Sequence, residues 1–91
     1  MLIRTQDKRS LVDMTGLTIT VNQYARYADT PKEFYVYNVE CSQSQYALGR
    51  YSTFEKAMKV LDMMQDKYID ANWKYVHNTV FEMPADEEVK V

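Results

Sequence analysis

The chain of 91 residues carries one histidine, His77, and one cysteine, Cys41. A single copy of each cannot assemble a zinc site from one chain, because such sites need three or four nitrogen and sulfur ligands at short spacings. The same two residues could in principle act as nucleophile and base. A reactive thiolate, however, needs an electropositive neighbour, and nothing beside either residue supplies one. A lone thiol on a strand is usually a small buried hydrophobe. The carboxylates of Asp62, Asp66 and Asp70 recur every fourth residue and share one helix face, where they repel. That arrangement suits a solvated stripe better than an acid and base pair. Gly16 and Gly49 are the only glycines, so a glycine-rich phosphate loop cannot be built. No enzymatic activity, metal or cofactor is expected.

What remains for chemistry is binding. Arg4, Lys8, Arg9, Arg26 and Arg50 are the first-half cations that remain as candidates for an anion, and an arginine fork grips phosphate or carboxylate through two parallel hydrogen bonds. The chain also holds eight tyrosines, Tyr24, Tyr27, Tyr35, Tyr37, Tyr46, Tyr51, Tyr68 and Tyr75. Tyrosine serves in half-buried sheets, at subunit contacts and as a stacking surface for ring-shaped ligands. The candidate ligand set is Arg4, Arg50, Arg26, Tyr35, Tyr37 and Tyr46. The competing explanation is that the arginines are scattered surface charge and the tyrosines ordinary sheet and interface packing.

These residues need elements to position them. Met1 to Thr5 reads as a short strand followed by a polar turn, and Leu11 to Met14 as a second strand closed by Thr15-Gly16. Leu17, Ile19 and Val21 alternate with Thr18, Thr20 and Asn22, so this strand buries one face and wets the other. Residues 23 to 33, around Asp29-Thr30-Pro31, predict a mobile loop with Tyr24, Arg26 and Tyr27 at its tip. Phe34 to Cys41 and Tyr46 to Tyr51 read as strands joined through Ser42 to Gln45. Gly49 inside the last of these marks a bulge, or a place of close approach.

Ser52-Thr53-Phe54-Glu55 has the spacing of a capping box, with Ser52 as the cap. The helix it opens is expected to run to about Asp70 or Asn72 and to turn Phe54, Ala57, Met58, Leu61, Met64 and Tyr68 toward the sheet. Met58, Met63 and Met64 are read as core filler. Val80, Phe81 and Met83 ahead of Pro84 predict a closing strand. Residues 85–91 predict an acidic tail that frays. The expected fold is α+β in a single domain over residues 1–84: a meander of about five antiparallel strands packed by one amphipathic helix, plus a short C-terminal strand.

Composition bounds the partners. Residues 1–50 hold six Lys/Arg against five Asp/Glu and residues 51–91 five against eight, for a net charge of −2. That balance is too even for a protein that grips nucleic-acid backbone, and it places an anion site in the first half. A lone cysteine suits a reducing compartment. No run of about 18 apolar residues exists for a membrane span, and the opening residues lack the apolar stretch of a signal peptide, so a cytoplasmic location is expected. A domain of this size buries only roughly two thirds of its unfolded surface, which favours a homo-oligomer.

The opening Met-Leu-Ile-Arg-Thr-Gln-Asp-Lys, the junction Leu48-Gly49-Arg50-Tyr51-Ser52-Thr53-Phe54-Glu55-Lys56-Ala57 with Val60-Leu61-Asp62, and the late Val80-Phe81-Glu82-Met83-Pro84 resemble a family of small bacterial and prophage proteins. The resemblance spans most of the chain apart from residues 22 to 33. Leu2 stands where an aromatic is common in that family, and Thr5 where Ser is common. It implies a bacterial or phage origin and a place in the host cytoplasm, and it names no reaction. Two functions from different classes follow. One is a phage-type homo-oligomer that sequesters a nucleotide-derived defence signal without altering it. The other is an inhibitor or adaptor that caps a host protein through its Tyr-rich loops or the acidic helix face around Asp62 and Asp66.

Overall fold

A computed structural model of the chain describes residues 1–43, 46–70 and 79–91. In chain order the elements are β1 (Leu2–Arg4), β2 (Leu11–Asp13), β3 (Ile19–Tyr24), β4 (Val36–Cys41), β5 (Tyr46–Tyr51), α1 (Phe54–Asp70) and β6 (Val80–Glu82). The architecture is α+β. Its strands are divided between two three-stranded sheets, ordered β2-β1-β6 and β3-β4-β5, in place of one continuous meander. β1 runs antiparallel to β2 and parallel to β6, while β4 is antiparallel to both of its neighbours.

The division has a local cause at Met14 to Leu17. The amide of Leu17 donates to the Met14 carbonyl at 3.0 Å, and Gly16 sits at φ 74° in the third position of the turn. A left-handed residue at that position alone is the type II form, which splays its flanking strands and does not pair them. The chain therefore leaves the first sheet and begins a second. Gln6 stitches the two together. Its amide donates to the Leu48 carbonyl at 2.8 Å, and its side chain accepts from the Arg50 amide at 2.9 Å while donating to the Arg50 and Pro84 carbonyls.

The core lies between α1 and the inner faces of the sheets. Ile3, Val39, Leu48, Tyr51, Val60 and Met83 are among its fully buried members. On α1 the buried residues are Ala57, Val60 and Met64, with Met58 and Leu61 half-buried. The apolar stripe is thus narrower than its periodicity predicts. Phe54, Met63 and Tyr68 are exposed, so Met63 is not core filler. Among the described residues no helix is long and apolar enough to cross a membrane.

Three local readings change. The helix is capped by Thr53, not Ser52: the Lys56 amide donates to Thr53 Oγ1 at 3.1 Å and the Ala57 amide to the Thr53 carbonyl at 3.2 Å. Ser52 is diverted because its amide and hydroxyl both donate to the Asp86 carboxylate, at 2.8 Å and 2.9 Å. Phe34 belongs to a 3-10 turn at Lys32–Phe34 and not to the strand, since its amide donates to the Pro31 carbonyl at 3.0 Å. The tail expected to fray is docked. Asp86–Glu88 forms a 3-10 turn, the Glu88 carboxylate accepts from the Ala85 amide at 2.8 Å, and Val89 is only 5% exposed against the core. Composition signalled disorder there, but one buried valine and one well-placed carboxylate outweigh it.

Candidate functional site

The outer face of the β3-β4-β5 sheet, opposite α1, is where polar side chains converge. Register explains which ones. Thr20, Asn22 and Tyr24 of β3 lie opposite Glu40, Asn38 and Val36 of β4, and strand alternation puts all six on the same face. Val39 and Cys41 point the other way, into the core. On β5, Ala47 and Arg50 are three residues apart and would fall on opposite faces of a regular strand. The register shifts between Val39 and Glu40, so that Val39 faces Gly49 and Glu40 faces Ala47. This bulge inserts Leu48 and brings Ala47 and Arg50 to the same outer face.

The result is an open hollow of about 530 Å³. Glu40, Asn38 and Val36 form its floor, Ala47 and Arg50 one wall, and Tyr24, Ala25, Arg26 and Phe34 the other. Ala47 contributes depth because its side chain ends at one carbon. The volume falls within the range of small-molecule sites, which run from about 300 to 1,000 Å³.

Glu40 is the unusual member. It is 1% exposed, and a buried carboxylate normally lies against a cation. Here its Oε1 accepts from Asn22 Nδ2 at 2.5 Å and from the Tyr24 hydroxyl at 2.6 Å. Among the described residues the ion pairs are Arg4 with Glu82 and Lys56 with Asp86, so none involves Glu40. The hydrogen bond to Glu40, then burial, then the Glu40 charge raise the Tyr24 pKa, which keeps that hydroxyl a donor at neutral pH. Burial and, secondarily, Glu40 also raise the Cys41 thiol. A buried, protonated thiol is a poor nucleophile.

The arginines of the hollow are available to a ligand. Arg50 Nε donates to Asn38 Oδ1 at 3.4 Å, and its two terminal nitrogens have no protein partner among the described residues. Arg26 has its guanidinium 5.5 Å from the Tyr27 ring centroid, a cation-π contact, and also lines a neighbouring hollow with Asp29 and Pro31.

The candidate set is thus only partly gathered. Arg26 and Arg50 come together here. Arg4 lies in the other sheet, where Nη1 donates to the Lys8 carbonyl at 3.4 Å and Nε is 4.0 Å from Glu82. Tyr37 faces α1 and meets the Phe54 ring edge-on, centroids 6.1 Å apart. Tyr35 is half-buried and does not line the hollow. Tyr46 pairs with Cys41 in the ladder, and its side chain lies outside what is described, as do His77, Trp73 and Tyr75. Asn22, Phe34, Asn38 and Glu40 were not singled out in sequence. The one usable signal was the polar face of the Ile19 to Tyr24 alternation; its partners on β4 depend on register. Among the described residues no group of His, Cys, Asp and Glu is placed to hold a metal ion. No protein-family model, curated protein or solved structure matches this chain.

Proposed function

We propose that this chain is a non-enzymatic binding protein that holds a nucleotide-derived small molecule in the hollow of the β3-β4-β5 sheet. It would act as a phage or prophage protein does in sequestering a host defence signal, and it would work as a homo-oligomer. The observation that carries the reading is the convergence of Arg26 and Arg50, whose terminal guanidinium nitrogens have no hydrogen-bond partner among the described residues, on a recess walled by Tyr24 and Phe34 and floored by hydrogen-bonding side chains. Arginine forks suit phosphate, and the exposed rings suit a base. A recess open on one side leaves much of a nucleotide wet, and a second copy placed over it would supply the missing wall.

The test is thermal unfolding of the purified protein with a panel of mono- and dinucleotides, cyclic forms included. A ligand at a hundredfold excess over its dissociation constant stabilises by about 2.7 kcal/mol, which in a domain of this size raises Tm by on the order of 10 to 20 °C. The bound molecule should be recovered chemically intact. Arg50→Ala and Arg26→Ala should each weaken binding by roughly tenfold or more, as expected for loss of a charge-assisted hydrogen bond of about 1.5 to 3 kcal/mol. No shift with any nucleotide at millimolar concentration would overturn the reading. A single host protein recovered in its place would favour the inhibitor alternative.

A further inference from the structure

Resting on the nucleotide reading above, we infer that the floor of the hollow recognises a 6-aminopurine base, through Glu40 as acceptor and Asn38 as donor. The inference starts from which atoms are already committed. Both donors that reach Glu40, Asn22 Nδ2 and the Tyr24 hydroxyl, go to the same oxygen, Oε1. Oε2 has no protein donor among the described residues. Asn38, 7% exposed, accepts from Arg50 Nε through Oδ1, which orients the amide and leaves Nδ2 without a partner among those residues.

Glu40 and Asn38 both line the hollow, and among the described residues no fully buried side-chain nitrogen or oxygen lacks a hydrogen bond. The hollow floor therefore presents one acceptor and one donor, two residues apart on one strand face and thus about 7 Å apart at the backbone. Both side chains are long enough to lean together over a single base.

That pair matches the edge of adenine, where an exocyclic amine donates and an adjacent ring nitrogen accepts. Guanine fits less well. Its Watson-Crick edge brings two neighbouring donors, and Glu40 has only one oxygen open to receive them. Unsubstituted purine, with neither the 6-amino group nor a hydrogen on N1, leaves Oε2 unpaired under the base, and a polar atom covered without a partner is costly. Discrimination of this type is strong because the loser strands a buried group on the protein.

The experiment compares three probes on the intact chain by calorimetric titration: adenosine 5′-monophosphate, purine riboside 5′-monophosphate, which lacks the amine, and inosine 5′-monophosphate, which carries an oxo group in its place. The unmodified protein is expected to bind the adenosine nucleotide at least tenfold more tightly than the purine riboside nucleotide; the inosine nucleotide, whose N1 hydrogen can donate to Oε2, serves as the reference for the Glu40→Gln variant. Glu40→Gln then supplies a sharper reading. Asn22 and Tyr24 hold the amide oxygen in the place of Oε1, so the amide nitrogen replaces Oε2 and turns the acceptor into a donor. The variant is expected to favour the inosine nucleotide, whose O6 and N7 both accept, over the adenosine nucleotide. Equal affinity of the unmodified protein for the adenosine and purine riboside nucleotides overturns this inference while leaving the nucleotide reading intact. Absence of binding by all three, with other nucleotides bound, also overturns it; absence of binding by every nucleotide overturns both. The comparison on the unmodified chain stands whether or not the variant folds.

Discussion

Replacing Asp86 with alanine should release the C-terminal segment. The Asp86 carboxylate accepts from the Ser52 amide at 2.8 Å, from the Ser52 hydroxyl at 2.9 Å and from Lys56 Nζ at 3.4 Å, while that ammonium also reaches the Asp86 carbonyl at 3.0 Å. Charge-assisted bonds of this kind are worth about 1.5 to 3 kcal/mol when buried. The Asp86 side chain is 36% exposed, so solvent screening reduces the whole cluster to about 1 to 2 kcal/mol. Deleting residues 85–91 removes this and also exposes the core site now filled by Val89, adding about 1.5 kcal/mol. Urea unfolding at pH 7 should therefore show Asp86→Ala destabilised by about 1 to 2 kcal/mol and the deletion by about 3 kcal/mol. The pH dependence is a second test. Burial alone would raise the Asp86 carboxyl, but it is outweighed by the Ser52 amide and hydroxyl and by Lys56, so the folded pKa lies below the ordinary value of 3.8. A depressed carboxyl stabilises the fold above its unfolded pKa, and that contribution is lost as pH falls through the folded one. The gap between the unmodified chain and Asp86→Ala should narrow below about pH 4. Equal stability at pH 7, or a gap that stays constant down to pH 2.5, would refute the reasoning.

Thr53→Ala should cost about 1 kcal/mol in urea unfolding because it removes the helix cap. Ser52→Ala should destabilise through the Asp86 contact instead, so its effect should largely vanish in the Asp86→Ala background, whereas that of Thr53→Ala should persist. Gly49→Ala should destabilise by about 1 to 3 kcal/mol, a fall in Tm of on the order of 10 °C. A Cβ there would lie 2.9 Å from both Met83 Cε and the Tyr51 hydroxyl. The methionine end can shift, but the buried tyrosine is held by its 2.8 Å hydrogen bond to the Pro84 carbonyl. An unchanged Tm would mean that the tyrosine yields at little cost.

How much could be read from the chain is clearest at particular residues. The alternation from Leu17 to Asn22 located β3 because one face of a strand is wet and the other dry, a purely local contrast. The Gly49 signal was also sound, since a bulge and a close approach both occur there. The helix start was displaced by one residue because Asp86, more than thirty positions away, competes for Ser52. The docked tail was missed for the same reason. Its acidic composition describes a free segment, and nothing local reveals that Val89 has a core to enter.

Local pattern thus determined the α+β class, the number and order of the strands, the helix and the cations that could meet an anion. It could do so because hydrophobic period, turn residues and capping groups act over a few neighbouring positions. Only the tertiary structure decided that the strands form two sheets, that Arg26 and Arg50 meet while Arg4 lies elsewhere, and that Glu40 is buried with hydrogen bonds from Asn22 and Tyr24 and no ion pair among the described residues. Those outcomes depend on strand register, one bulge and one splayed turn. A single-residue change in any of them moves a side chain to the opposite face of its sheet.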